Sequence, residues 1–318
     1  MLFHRTPPLR DPQELSSMAA PRAARDIALL RFEHLDVEYE EALRTCWSYA
    51  LLGRSGGRAT SSLLSDIQEL QANLGALHEA QLREGADLIR YFVVGSRIPT
   101  VYNLGGDIVF FADRIRAGDR EAMRAYAHQC IDVIYANHVS FGLPVISIAL
   151  VQGDALGGGF ENALSHDVIV AERSARLGLP EILFNLFPGM GAYSFLSRRI
   201  GAPAAEAMIM SGNLYSASEL HAMGIVDVLA EDGQGEAATR DYIERTTRKF
   251  NAHHALCRTR RQINPVTLDE LRRVVEIWVE TAMTVTEPDL RKMERLAMAQ
   301  SRRLRPAQAS HVPLLAAE

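Results

Sequence analysis

The chain has 318 residues, and its content of 47% hydrophobic and 23% charged residues is typical of a globular protein, which excludes disordered and fibrous classes. A formal net charge of -5 at pH 7 argues against a nucleic-acid binder, because such proteins usually carry a strongly basic domain or stripe. The three cysteines are widely spaced and form no CxxC pair, so neither a disulfide framework nor a cysteine zinc site is indicated.

The apolar runs of the chain indicate no targeting or membrane segment. The amino-terminal segment contains prolines and charges but no apolar block of signal-peptide length. No later apolar run approaches the roughly 18 residues that a membrane-spanning helix needs. We therefore expect a cytoplasmic protein without a membrane span.

Apolar strands alternate with helices along most of the chain. Strands are predicted at 27–32, 45–51, 88–94, 144–151, 168–171 and 226–229. Helices are predicted at 61–74, 107–117 and 119–141, with further helical segments after Tyr193, Ala202 and Ser216. This alternation indicates an α/β fold with a mostly parallel sheet covered by helices.

Four regions are predicted along the chain. A flexible extension over 1–24 precedes an α/β core with the active site over 25–231, and a helical region over 232–303 precedes a flexible tail over 304–318. In the helical region, Leu271, Val275 and Trp278 lie on one apolar stripe. Such stripes need a partner surface, which is either the core of the same chain or another subunit.

The segment VQGDALGGGFENALSHD, residues 151–167, predicts a buried strand that ends in a glycine-rich turn and opens a helix. Three successive glycines let backbone amides approach a ligand, and the helix amino terminus adds a partial positive charge. An anionic or polarised oxygen would be stabilised there, with Glu161 in the first helical turn. The alternative is a tight turn in which Glu161 only caps the helix.

The segment ARLGLPEILFNLFPGMGAYSFL places Glu181 among apolar neighbours. Such surroundings raise the pKa of a carboxyl group, which suits a side chain that must both take and give protons. The alternative is a glutamate on the solvent side of a loop, where single carboxylates are usually found.

The segment YNLGGD, residues 102–107, follows the strand predicted at 88–94 and offers a second backbone N–H donor. Its two glycines precede Asp107, which could cap the next helix. Capping alone is the alternative interpretation of Asp107.

Taken together, LGGD, GGGFE and LPE followed by PGMGA resemble the crotonase (enoyl-CoA hydratase/isomerase) superfamily. The resemblance implies a crotonase (ClpP-like) spiral fold of ββα units with a carboxy-terminal helical region, assembled as a homotrimer or hexamer. It implies that the amides of Leu104 and Gly158 bind a thioester carbonyl oxygen, and that Glu161 and Glu181 are the catalytic acid and base.

A substrate pocket beside these groups is also implied. The residues expected to line it are Gly105, Leu156, Gly157, Gly189, Met190 and Trp278. For Trp278, plain packing of an amphipathic helix stays an equal alternative. No metal is predicted, because His253 and His254 lack companions at zinc-like spacing. No cofactor is predicted either, because GMGAYS lacks the third glycine of a dinucleotide fingerprint and GRSGGRATS lacks the lysine of a P-loop.

Within the superfamily, five segments resemble RpfF-type synthases of diffusible signal factor: YNLGGD, IALVQGDALGGGFE, GLPEILFNLFPGMGAYSF, GNLYSA and IWVETAM. This resemblance covers about residues 27–303 and implies dehydration of a 3-hydroxyacyl thioester to a cis-2-enoyl thioester, followed by hydrolysis to the free acid. The implied partners are acyl carrier protein or coenzyme A as the acyl carrier, and the receiver domain of a sensor kinase. The alternatives are an ordinary enoyl-CoA hydratase of fatty-acid degradation and a regulatory binding protein.

Five arginines of the predicted helical region form a basic stretch: Arg258, Arg260, Arg261, Arg272 and Arg273. Their charge could meet the acidic surface of acyl carrier protein or the phosphates of coenzyme A. A solvated helix face is the alternative.

Overall fold

The computed structural model describes residues 26–301 apart from 28, 54 and 85–88. The extension predicted over 1–24 and the tail predicted over 304–318 therefore lie outside the described residues. None of the described helices is long and apolar enough to cross a membrane.

The described strands are β1 Leu35–Glu40, β2 Thr45–Ala50, β3 Tyr91–Ser96, β4 Val101–Asn103, β5 Ile146–Val151, β6 Asp154–Leu156, β7 Val168–Glu172, β8 Arg176–Gly178, β9 Leu214–Ser216 and β10 Val228–Ala230. Six of them form the main sheet in the order β1-β2-β3-β5-β7-β10, in which only β1 and β2 pair antiparallel. Strands β5 and β7 are buried along their whole length. Burial on both faces explains their nearly continuous apolar sequences.

A second sheet contains four short strands in the order β4-β6-β8-β9. Each of β3, β5 and β7 in the main sheet is followed directly by a strand of the second sheet, namely β4, β6 and β8. This is the α/β spiral that the resemblance implies. The sequence patterns did not predict the second sheet, because three residues are too few to show a two-residue period.

The described helices are α1 Ser61–Glu84, α2 Ile108–Arg116, α3 Arg120–His138, α4 Gly158–Leu164, α5 Ala192–Ile200, α6 Ala202–Ser211, α7 Ala217–Ala222, α8 Gly235–Thr247, α9 Phe250–Ile263, α10 Leu268–Ala282 and α11 Glu287–Ser301. Short 3-10 helices span Ser140–Gly142 and Pro180–Phe184. Asp107 caps α2, since its carboxylate accepts a hydrogen bond from the amide of Phe110 at 3.2 Å. The capping interpretation is therefore confirmed.

Two sequence predictions near the amino terminus are wrong. Residues 26, 27 and 29 are helical, so the strand predicted at 27–32 does not form. The buried residues Ile27 and Leu30 lie three positions apart, a spacing that suits one face of a helical turn. The first strand is instead β1, and α1 continues for ten residues beyond the end predicted at position 74.

Beyond β10, all the regular elements described are helices, and most of their apolar faces pack on the core of the same chain. Helix α10 lies against α3, and α11 lies against α2 and the 3-10 turn at Pro180–Phe184. Leu271, Val275 and Trp278 are buried at this contact. Helix α9 differs, because Leu256 and Ile263 keep 66% and 72% of their surface exposed.

The contact between β4 and α4 gives a test of the fold. A Cβ atom on Gly159 would lie 2.0 Å from the carbonyl oxygen of Asn103, and neither backbone can move freely. We expect Gly159→Ala to lower the free energy of unfolding by about 1–3 kcal/mol or more, which is typical of overpacking. Urea denaturation followed by circular dichroism measures this loss.

Gly75→Ala in α1 is the matched control, because nothing lies within 4 Å of the added Cβ. This change should stabilise the protein by about 0.5–1 kcal/mol, since alanine is the better helix former. Equal unfolding midpoints for the two variants would contradict the packing described at Asn103.

Candidate active site

Glu161 lies in the first turn of α4 and is almost completely buried, with 1% of its surface exposed. Its Oε1 accepts hydrogen bonds from the backbone amides of Met190 at 2.7 Å and Ala192 at 3.0 Å. Burial raises the pKa of Glu161 above its ordinary value, and the two amides oppose part of that rise. The side chain therefore does more than cap the helix, because its carboxylate is held by the segment before α5.

Glu181 lies in the 3-10 turn that follows β8. Its carboxyl group reaches the turn before α4, since a Cβ atom on Gly157 would lie 2.3 Å from Oε1 of Glu181. Gly157 has a φ of +53°, which favours glycine as well. The residue is half-buried, but Oε2 is sealed from solvent and has no hydrogen-bond partner among the described residues. The alternative of a solvent-facing carboxylate does not hold.

The two carboxyl groups influence each other electrostatically. Burial, and then the charge of Glu161, raise the pKa of Glu181. Glu161 has two amide donors for its negative charge, whereas Glu181 has an unpartnered oxygen. Ionisation of the pair therefore begins at Glu161, and the higher pKa of Glu181 lets that group keep its proton to higher pH.

Backbone hydrogen bonds around the LGGD turn correct one prediction. The Leu104 amide donates to the carbonyl oxygen of Gly57 at 2.7 Å, so it is not available to a ligand. The Gly105 amide donates to Oδ1 of Asn103 at 2.8 Å, and the Gly105 carbonyl accepts from Ala59 at 2.9 Å. Sequence reasoning missed this because the partner at Gly57 is distant along the chain.

The amides of Gly106 and Gly158 donate to no acceptor among the described residues. Gly158 is the first residue of α4, so its N–H has no partner within the helix. A Cβ on Gly158 would lie 3.6 Å from the Gly106 nitrogen, and a Cβ on Gly105 would lie 3.2 Å from the Gly158 nitrogen. The two open donors are therefore neighbours at one wall of a cavity.

That cavity is lined by both glutamates and by all six residues predicted for the pocket, which are Gly105, Leu156, Gly157, Gly189, Met190 and Trp278. Gly189 is required here, since a Cβ on it would lie 2.5 Å from the Trp278 side chain. Trp278 also packs edge-on against Phe111 with ring centroids 5.4 Å apart. It therefore both lines the cavity and belongs to the core.

Sequence reasoning missed most of the apolar wall. This wall comes from α1, α3 and α11, through Leu63, Leu64, Ile67, Tyr126, Cys130, Val133, Ile134, Met293, Leu296 and Ala297. The apolar stripes of these helices were the available signal. A stripe looks the same whether it faces the core or a cavity beside it.

The predicted basic stretch does not reach the cavity, and four of its five arginines form ion pairs. Arg260 and Arg261 bind the buried carboxylate of Asp167, at 3.3 and 2.7 Å. Arg272 pairs with Asp132 and Arg273 with Asp269. Across the part of the chain that the structure describes, no group of three or more His, Cys, Asp or Glu side chains could hold a metal ion.

Comparison with known proteins identifies relatives of this chain. A family profile described as enoyl-CoA hydratase/isomerase matches residues 86–296. The chain is 33% identical over 170 residues to the fatty acid oxidation complex subunit alpha of Pseudomonas savastanoi pv. phaseolicola, covering 52% of this chain and 23% of that protein. It is 32% identical over 157 residues to the mitochondrial methylglutaconyl-CoA hydratase of Mus musculus, covering 49% of this chain and 48% of that protein.

The chain thus spans about half the length, or less, of these two curated relatives. A solved structure of an enoyl-CoA hydratase from Bacillus halodurans superposes with a TM-score of 0.68 at 17% sequence identity. The alignment covers 83% of this chain and 100% of that structure. At this identity the likeness shows the fold alone.

The raised pKa of Glu181 predicts how stability depends on pH. Its contribution to stability is fully present below the unfolded-state pKa of about 4.3 and is lost as the pH rises through the higher folded-state pKa. Glu181→Gln cannot ionise and should keep this stability. At a pH above the folded-state pKa, we expect the free energy of unfolding of Glu181→Gln to exceed that of the wild type. The excess should be about 1.4 kcal/mol for each pH unit that separates the folded-state from the unfolded-state pKa.

Urea midpoints measured from about pH 4 to about pH 9 test this expectation, since the range brackets ordinary and raised carboxyl pKa values. The control is Glu206→Gln on the exposed face of α6, which removes a carboxylate far from the cavity and should follow the wild type. A difference between Glu181→Gln and the wild type that does not grow with pH would contradict the electrostatic account.

Proposed function

The chain belongs to the enoyl-CoA hydratase/isomerase family, and from this premise we propose that it dehydrates a 3-hydroxyacyl thioester to a cis-2-enoyl thioester and then hydrolyses the thioester. The product is a free unsaturated fatty acid of the diffusible-signal-factor type. The observation that carries the chemistry is that the buried Glu161 and the half-buried Glu181, whose Oε2 is sealed from solvent, face one cavity with the open amides of Gly106 and Gly158.

Dehydration needs two carboxyl groups in opposite protonation states. The carboxylate takes the α-proton, the electrons move onto the thioester oxygen, and the amides of Gly106 and Gly158 stabilise that enolate. The protonated carboxyl then gives its proton to the β-hydroxyl group, which leaves as water. Because the pKa of Glu181 lies above that of Glu161, the two groups can supply both states.

Thioester hydrolysis uses the same groups again. One carboxylate takes a proton from water as the water oxygen attacks the carbonyl carbon. The tetrahedral oxyanion lies against the Gly106 and Gly158 amides, and the carbon–sulfur bond breaks as the thiolate leaves with a proton from the carboxyl group. The sequence contains one GxSxG match, GRSGG at 53–57, but its Ser55 does not line the cavity that holds Glu161 and Glu181, so we propose a route without a serine nucleophile.

Support for the signal-synthase branch comes from the sequence segments that resemble it and from the apolar wall of the cavity. YNLGGD supplies the Gly106 turn, GGGFE supplies Gly158 and Glu161, and IWVETAM supplies Trp278. An apolar wall built from three helices suits an aliphatic acyl chain. We propose acyl carrier protein or coenzyme A as the thioester partner, in the cytoplasm.

Assembly and regulation are proposed on the same basis. A homotrimer or hexamer would cover exposed apolar side chains such as Leu256 and Ile263 on α9. Binding by the receiver domain of a sensor kinase follows from the branch resemblance. Light scattering of the purified protein and a pull-down with a receiver domain test these two points separately from catalysis.

An ordinary enoyl-CoA hydratase is the second candidate. It is favoured by the names of the two curated relatives, a fatty acid oxidation complex subunit and a methylglutaconyl-CoA hydratase. Both candidates use Glu161 and Glu181, so the product decides between them. Efficient hydration of crotonyl-CoA without any free acid would favour the second candidate.

The deciding experiment gives the purified protein medium-chain 3-hydroxyacyl-carrier protein and follows free enoic acid by mass spectrometry. We expect the wild type to release cis-2-enoic acid. Glu161→Gln and Glu181→Gln should each lose about 10²- to 10⁴-fold in rate, the usual contribution of general acid–base catalysis. Intact substrate in the presence of concentrated wild-type protein would refute the signal-synthase proposal.

A further inference from the structure

Asn103 is the last residue of β4 and contacts both turns that carry the open amides. From these contacts we infer that Asn103 is a positioning residue, which holds the Gly106 amide in the direction and at the spacing needed for a thioester oxygen bound jointly with Gly158. The inference rests on the proposed acyl-thioester function. It adds to that function a side chain that touches no reacting atom.

The side chain of Asn103 fixes the first of two consecutive peptide planes. Its Oδ1 accepts a hydrogen bond from the Gly105 amide at 2.8 Å, which is an Asx-turn. Gly105 has a φ of +88° and, as a glycine, has little conformational preference of its own. Without this hydrogen bond, the peptide plane before Gly105 would lose its side-chain anchor.

The second plane joins Gly105 to Gly106 and carries the open donor. Its carbonyl oxygen accepts from the Ala59 amide at 2.9 Å. In a planar trans peptide the N–H points away from the C=O, so the Gly106 N–H points away from Ala59. The direction of the Gly106 amide thus depends on both planes about Gly105, of which one is held by Ala59 and the other by Asn103.

The main chain of Asn103 sets the distance to the other donor. Its carbonyl oxygen lies 2.0 Å from the position that a Cβ on Gly159 would take, so β4 and the first turn of α4 are in direct backbone contact. Gly158, the second donor, is the adjacent residue. One residue therefore contacts the Gly106 turn through its side chain and the Gly158 turn through its main chain.

The chemical nature of Asn103 supports a positioning role. Its side chain is half-buried and lines a cavity whose wall is mostly apolar. A polar group in such a place costs desolvation energy unless it forms hydrogen bonds. An apolar residue of similar size would fit the wall but could not hold Gly105. The amide oxygen is thus the part of the side chain that the turn requires.

An isosteric pair of variants separates this hydrogen bond from packing. In Asn103→Thr the hydroxyl group can accept from the Gly105 amide, whereas in Asn103→Val a methyl group replaces it. We expect the threonine variant to stay within about threefold of the wild-type kcat. The valine variant should lose about 10²-fold in kcat, the usual effect of one carbonyl-binding donor, with KM changed much less.

Carbonyl polarisation is read directly from the infrared stretch of bound crotonyl-CoA labelled with ¹³C at its carbonyl. The frequency of the carbonyl stretch should fall when crotonyl-CoA binds to the wild type or to Asn103→Thr, and it should fall less when crotonyl-CoA binds to Asn103→Val. Equal carbonyl stretching frequencies in the two variants would overturn the inference. A valine variant that changes KM but keeps the kcat of the wild type would also overturn it. If either variant fails to fold, Asn103→Ser and Asn103→Ala repeat the comparison.

The infrared measurement needs only binding, which separates the inference from the proposed function. If the wild type releases no enoic acid but polarises the bound thioester in an Asn103-dependent way, the signal-synthase proposal fails and the inference stands. If the wild type releases the acid but both variants polarise the carbonyl equally, the inference fails and the proposed function stands.

Discussion

The repulsion between two buried carboxyl groups is the interaction on which the rest of the site depends. A carboxylate removed from water is unstable unless amides or cations compensate for its lost hydration. Glu161 obtains that compensation from two backbone amides, those of Met190 and Ala192, whereas Oε2 of Glu181 has no hydrogen-bond partner among the described residues. This asymmetry makes Glu161 lose its proton more readily than Glu181, and the walls of the cavity maintain the difference by keeping water away from both groups.

The second sheet places the open amides and the two glutamates next to one another. Its strands β4, β6 and β8 end side by side, and each is followed by a segment that contributes to the site. The Gly106 amide follows β4, the Gly158 amide and Glu161 follow β6, and Glu181 follows β8. The three segments can approach because glycines at their contacts leave no side chain between them, as the 2.3 Å approach of the Glu181 carboxyl to a Cβ position on Gly157 shows.

Sequence reasoning succeeded where the signal is local. The turn at Gly158, the glutamate three residues later and the cap at Asp107 all follow from short-range rules. It failed at Leu104, whose amide is taken by Gly57 from a distant part of the chain. It also missed strands of three residues and the walls given by α1, α3 and α11. Partner choice over long separations depends on tertiary packing, which an apolar stripe does not specify.

The residues that carry out the chemistry and the residues of α11 that close the cavity lie in different parts of the chain. The groups that carry the chemistry lie between Gly106 and Glu181, whereas Met293, Leu296 and Ala297 close the cavity from a helix more than a hundred residues later. Arg116 ties that helix to α2 through Glu287 and Glu294, at 3.0 and 2.7 Å. Substitutions on α11 can therefore reshape the space for the acyl tail while the acid, the base and the amides keep their places. Selection for a new acyl chain and preservation of the reaction act on different stretches of one polypeptide.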